Sequence, residues 1–203
     1  GSKRVSNPGC WPQRPIATLR PLITAGLLPG DYPVTMNGIS GYTGGGKAMV
    51  EEYEAKGEDA PEYLPYGLGF KHKHVPELKK FATLTRDPLM APVVGNFAQG
   101  MITSVPLQLG ILNRVPTGRE LHQALADHYA AIANSVVSVA PYAETERVAD
   151  LQPEMHNDTN QMTLYVFAND ARAQAMLLAV YDNLGKGASG AAVQNMDLML
   201  RGA

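Results

Sequence analysis

Ser6-Asn7-Pro8-Gly9-Cys10-Trp11-Pro12 holds the one cysteine of a 203-residue chain. A single thiol forms no internal disulfide, so it is either buried packing or a nucleophile. Pro8-Gly9 imposes a sharp turn, Pro12 and Pro15 suit the first turn of a helix, and Ile16, Leu19, Leu22 and Ile23 recur at helical spacing. The pattern predicts a helix ending near Gly26, with Cys10 where a turn feeds its N-terminus. Free amides and the positive end of the helix dipole there are expected to lower the thiol pKa from about 8.5 into the range of roughly 3.5 to 7.5.

On the N-terminal side, residues 3–6 are expected to end a strand that delivers the turn. Residues 33–36 read as a short strand running into a loop over 37–46, where glycine and asparagine tolerate positive φ. A helix occupies 47–56, then an ordered Pro- and Tyr-rich loop 61–69. Residues 89–95 and 101–109 have the apolar density of strands. Thr117 and Glu120 form a capping box, and Leu121, Leu125, Tyr129 and Ile132 continue that helix. Residues 160–168 alternate as a strand, 171–181 read equally as helix or strand, and 184–200 close in a helix. Strands interleaved with helices predict α+β, or mixed α/β, in one domain.

Composition bounds the function. The net charge is −2 and the basic residues are scattered, which argues against a nucleic-acid surface or an anionic membrane as partner. No apolar run reaches the roughly 18 residues of a membrane span, and residues 1–4 lack the apolar core of a signal peptide. Gly1-Ser2 looks like a cloning scar. One cysteine without a partner fits a reducing, cytoplasmic compartment.

Two phosphate motifs fail on inspection. Gly41-Tyr42-Thr43-Gly44-Gly45-Gly46-Lys47 fits half of a Walker A loop, but Ala48 stands where Ser or Thr must hold magnesium. Gly185-Lys186-Gly187-Ala188-Ser189-Gly190 matches GxGxxG, yet the stretch after Gly190 is too short for a βαβ unit and its ribose-binding acid. His72-Lys73-His74 with Glu77 concentrates titratable groups. In an extended segment both histidines share a side, which suits a zinc site completed by Cys10 or a thiol–imidazole catalyst. The other histidines, His122, His128 and His156, read as structural.

Four separated motifs occur in one order: residues 6–10, Ser40-Gly41 with Gly46-Lys47 after it, His72-Lys73-His74-Val75-Pro76-Glu77, and Asp182-Asn183-Leu184 through Gln194-Asn195-Met196. They resemble the N-acetyl-γ-glutamyl-phosphate reductase family, the NADP-dependent enzymes of arginine biosynthesis. The resemblance implies a glyceraldehyde-3-phosphate-dehydrogenase-like C-terminal domain, a mixed sheet flanked by helices, with residues 176–181 a strand. Residues 3–203 become a catalytic and dimerisation domain, preceded by an N-terminal Rossmann domain that binds most of the NADP. The terminal helix, about 185–200, packs on that domain.

By the same resemblance Cys10 is the acylated nucleophile and His72 the acid/base group. Asn7, Ser40, Gly41, Tyr66, His74 and Glu77 bind substrate or brace its pocket, Asn183 and Lys186 face the nicotinamide, and no metal is required. Several family members carry Ser in place of Asn37 and Arg in place of Gln99, and Lys47 or Lys73 is available to supply the missing charge. The implied partners are an acyl phosphate, released phosphate and a second copy of the chain in a dimer or larger oligomer. Alternatives are a reductase of aminoadipyl or aspartyl phosphate, or a non-enzymatic dimerisation module.

Overall fold

Burial alternates along residues 101–108 and 162–169, as it must when a strand has one face in a core and one face half open. The computed structural model describes residues 4–142 and 151–201. In chain order its elements are α1 (Gln13–Thr24), β1 (Thr35–Gly41), α2 (Lys47–Lys56), β2 (Tyr63–Pro65), α3 (Val75–Phe81), β3 (Leu89–Gly95), β4 (Met101–Gln108), α4 (Gly118–Ala130), β5 (Val137–Val139), β6 (Met162–Asn169), β7 (Gln174–Tyr181) and α5 (Gly190–Arg201). The strands form one mixed sheet in the order β2-β3-β1-β4-β7-β6-β5, with β1–β3 and β5–β6 parallel and the other pairs antiparallel.

One face of this sheet carries the core. Leu19 and Leu22 of α1, Leu78 of α3, and Leu121 and Leu125 of α4 pack on Met36, Met101, Val105, Leu164 and Leu177. α2 closes a smaller cluster on the same side, where Tyr53 meets Val94 and Ala60. The opposite face exposes Asn37, Ile39, Ile102, Ser104 and Leu178 along a groove of about 360 Å³. Tyr165 and Phe167 extend it, their rings parallel with centroids 6.3 Å apart.

The helix after the cysteine, the strands over 89–95 and 101–108, and the capped helix from Gly118 match the sequence reading, and Gly26 adopts φ +71 just beyond α1. The mixed sheet flanked by helices is the architecture expected, and residues 174–181 are its strand β7. Several local expectations are corrected. Residues 4–9 form no strand, and Lys3 and Gly1-Ser2 lie outside the described residues. Residues 37–41, read as loop, are the heart of β1, because pairing on both edges overrides their weak propensity. A side chain at Gly38 has no room: a Cβ would lie 2.7 Å from the Ile102 carbonyl and 2.9 Å from Trp11, with Thr103 closer still. Residues 63–65, inside the expected loop, add the short edge strand β2, and β5 was not anticipated. α4 stops at Ala130, short of Ile132. The terminal helix begins with a wide π-type turn over Gly185–Ser189.

Candidate active site

Cys10 is held from three directions. Gly9 N–H donates to Glu77 Oε1 at 3.0 Å, so the first turn of α3 grips the turn just before the cysteine. The His74 ring fills the space where a Cβ at Gly9 would go. On the other side the Tyr181 hydroxyl, at the end of β7, donates to the Cys10 carbonyl. Gly187 closes the back: its Cβ would stand 3.2 Å from the Cys10 Cβ. Glycine at 9 and 187 therefore serves one purpose, fixing the Cys10 turn between α3, the end of β7 and the 185–189 turn.

The thiol opens into a cleft of about 690 Å³ lined by Asn7, Ser40, the 41–46 glycine loop, Tyr66, His72, His74 and Asn183. His72 and His74 do come together, their centroids 4.9 Å apart, but through a turn at the start of α3 rather than along an extended segment. His74 N–H donates to His72 Nδ1 at 3.2 Å. That bond occupies the Nδ1 lone pair, so in the neutral ring the proton resides on Nε2. Aromatic contacts continue outward from His72 to Tyr66, at 5.8 Å, and from Tyr66 to Trp11, at 6.4 Å.

Electrostatics in this cleft run against the expectation of an activated thiolate. Burial pushes the Cys10 thiol up, and the Trp11 amide, Arg14 and Lys73 oppose this without reversing it. α1 begins only at Gln13, three residues past the cysteine, and Pro15 in its first turn has no N–H group. Burial also lowers both histidines, His72 with help from Lys73, and His74 to about 4. Tyr66 rises to about 12 through burial and the neighbouring thiol. The resting pair at neutral pH is thus thiol and neutral imidazole, not thiolate and imidazolium.

The remaining expected site residues divide. Ser40 is buried at the end of β1, its hydroxyl donating to the Gly41 carbonyl at 3.2 Å. Asn7 accepts from Asn195 of α5 at 2.9 Å. Glu77 lies behind the turn and acts on it through Gly9. Asn183 reaches the cleft, but its side-chain oxygen accepts from Gly100 N–H at 2.7 Å and its amide donates to Thr43 at 3.0 Å, tying the glycine loop to β4. Lys186 does not line the cleft; its amine donates to Gln194 at 2.8 Å on another side of the turn. Asn37 is on the open sheet face, away from the thiol. Gln99 donates to the buried Asp182 at 2.7 Å and to Asp158 at 3.1 Å. Lys73 lines the cleft, whereas Lys47 pairs with Glu51.

Two residues were missed. Asp182, fully buried, accepts from Gln99, Asp158 N–H and Leu184 N–H, and sets the path of the chain past the cysteine. Arg14, only 1% exposed, stacks its guanidinium 3.6 Å from the Tyr181 ring centroid. Its signal was in the spacing: Thr18 and Leu22, four and eight residues on, share its helix face and are buried.

Comparison with known proteins fits this geometry. A family model described as semialdehyde dehydrogenase, dimerisation domain, matches residues 10–183. An N-acetyl-gamma-glutamyl-phosphate reductase of Chelativorans sp. strain BNC1 is 72% identical over 201 residues, covering 99% of this chain and 65% of that protein. Another of the same name, from Burkholderia lata, is 50% identical over 205 residues, covering 100% of this chain and 64% of that protein. The chain spans just under two thirds of the length of these curated relatives. Among solved structures, aspartate semialdehyde dehydrogenase II from Vibrio cholerae superposes with a TM-score of 0.71 at 16% identity, over 98% of this chain and 62% of that one. The protein from Francisella tularensis gives 0.63 at 14% identity, over 93% and 63%. The overall fold is thus one shared with solved structures, and the chain belongs to the semialdehyde dehydrogenase dimerisation-domain family.

Proposed function

We propose that this chain is the catalytic and dimerisation part, residues 3–203, of a cytoplasmic NADPH-dependent reductase that converts N-acetyl-γ-glutamyl phosphate to the semialdehyde and phosphate. The observation that carries this reading is the convergence of Cys10, His72 and His74 on one cleft, in a chain 72% identical to a protein of that name. As Cys10 sulfur attacks the acyl phosphate, His72 accepts the thiol proton at Nδ1, giving up the bond from His74 N–H, phosphate leaves, and a thioester forms on Cys10. The cofactor, when bound, supplies the hydride. His72, now imidazolium, then gives its proton to the developing oxyanion, and collapse of the thiohemiacetal frees the aldehyde as the proton returns to the thiol–imidazole pair. Tyr66, His74, Ser40 and Gly41 shape the pocket around the substrate, while Asn7 and Glu77 brace the turn.

The described residues fit the reactive end of such a cofactor and not its phosphates. Gly187, Ala188, Ser189 and Ala192 give the cleft a wall with no side chain larger than serine, against which a flat ring can approach Cys10. In the GxGxxG stretch, however, the Gly187 and Ser189 N–H groups donate to Asp182 and Leu184 carbonyls within the turn. Pyrophosphate recognition is therefore assigned to an N-terminal Rossmann domain on which α5 packs, with Asn183 bordering the cleft that the nicotinamide enters and Lys186 turned away from it. Without that domain the chain is acylated but does not turn over. Dimerisation is assigned to the open sheet face.

Phosphate-dependent reduction of NADP by the full-length protein, with N-acetylglutamate semialdehyde against aspartate and aminoadipate semialdehydes, tests the assignment. Preference for the first is expected; a higher kcat/KM for either of the others overturns it.

A further inference from the structure

Arg14 is a buried cation that makes no ion pair among the described residues. Its Nη1 donates to the Ala179 carbonyl at 3.1 Å, while Nε and Nη2, both shut off from solvent, have no hydrogen-bond partner among the described residues. Leaving charged donors unpaired in an interior costs free energy, so such a group persists where it offsets another cost. The guanidinium lies over the face of Tyr181, and the hydroxyl of that same ring holds the Cys10 carbonyl. Arg14 is also four residues past Cys10, on the first turn of α1, so the chain itself ties the cation to the cysteine.

The charged and titratable groups that face this assembly come from every neighbouring element. Arg14 is on α1, Tyr181 ends β7, Glu77 is on α3 with its Oε1 engaged by Gly9, Tyr66, His72, Lys73 and His74 border the thiol from the segment before α3, and the turn behind Cys10 carries the buried Asp182 and Lys186. Of these, the cations are Arg14, which is buried, Lys73, which is exposed, and Lys186, which is half-buried and donates to Gln194. The group that gains negative charge in the reaction is the Cys10 sulfur.

We propose that Arg14 is a positioning residue: with Tyr181 it fixes the Cys10 turn, and its buried charge stabilises negative charge on the Cys10 sulfur as the nucleophile forms. This rests on Cys10 being the nucleophile and extends the site behind the visible cleft. Mutual attraction between the two groups agrees with it, since Arg14 draws the thiol pKa down against burial, and Cys10 draws the arginine up while burial brings it down to about 10.

The test is the pH dependence of iodoacetamide alkylation at Cys10 in the full-length protein, with peptide mass spectrometry as the readout. Arg14→Met is expected to move the inflection upward by about one pH unit and to slow alkylation at pH 7 about tenfold, the scale for losing a nearby opposite charge; Arg14→Lys falls between it and the wild type. A folded Arg14→Met protein with an unmoved inflection overturns the proposal. If that variant does not fold, salt decides with the wild type. At 1 M NaCl, where exposed charges are screened within about 3 Å, the inflection stays in place if Arg14 supplies the charge. An upward move that Lys73→Gln reproduces at low salt assigns the charge to Lys73 and overturns the proposal. Cys10 acylation by an acyl phosphate is measured separately: its absence counts against the proposed activity, whereas an unmoved alkylation profile with acylation intact counts against Arg14 alone.

Discussion

At Cys10 the balance between burial and charge decides what the thiol does. Pro8, Gly9 and the helix after them were legible as a turn feeding a helix, because proline and glycine carry conformational information in their identity. The direction of the pKa was not legible, since it depends on the burial that β7, α3 and the 185–189 turn impose together. The histidine pair was legible as a cluster, but the His74 N–H bond to His72 Nδ1, made through the turn before α3, was not. If His72 moves the proton, His72→Ala in the full-length protein lowers kcat by about 10²- to 10⁴-fold, with a much smaller change in KM; steady-state kinetics check this. His74 packs on Gly9 and its pKa falls to about 4, chiefly through burial. The unfolded chain, with a histidine near 6.5, then binds that proton more readily than the folded one. Stability contributed by keeping His74 neutral is present above about pH 6.5 and is lost as pH falls toward 4. Urea unfolding across this range is expected to show a decline that His74→Gln flattens.

Elements whose signal is local were readable, and those set by partners were not. The α4 capping box is local: Glu120 N–H donates to Thr117 Oγ1 at 3.2 Å and Thr117 N–H to Glu120 Oε2 at 2.8 Å. Thr117→Ala should cost about 1 kcal/mol in urea unfolding. β1 is the contrary case. Its Asn-Gly-Ile-Ser-Gly sequence has the composition of a loop, and it is a strand because β3 and β4 flank it and Gly38 lets Trp11 lie against the sheet. Gly38→Ala is expected to destabilise by about 1–3 kcal/mol through overpacking, again read by urea unfolding. A neutral result there would show that Trp11 and Thr103 have room to move. The same reasoning explains why 171–181 was ambiguous. Its alanines suit a helix, and only pairing with β4 and β6 makes it β7.

Across the whole molecule the sheet has one covered face and one open face. Its covered face ends at the cysteine cleft, and its open face presents Ile39, Ile102, Leu178, Tyr165 and Phe167. An apolar sheet face of this kind marks an interaction surface. Leu178→Lys is expected to shift the full-length protein from dimer to monomer in sedimentation velocity, while an unchanged mass would remove this face from the interface. The terminal helix presents a second apolar surface in Val193, Met196, Leu198 and Met199, on the side assigned to the cofactor domain. Composition was silent about both surfaces, because a half-exposed strand and a half-exposed helix look alike until their neighbours are known. The proposed function turns on an acyl group on Cys10, formed in the cleft before any hydride arrives. Mass spectrometry of the full-length protein mixed with N-acetyl-γ-glutamyl phosphate, with NADPH left out, measures it most directly. A thioester on the Cys10 peptide, discharged when NADPH is added and absent from Cys10→Ser, is the expected result. No adduct at Cys10, or turnover persisting in Cys10→Ser, contradicts it.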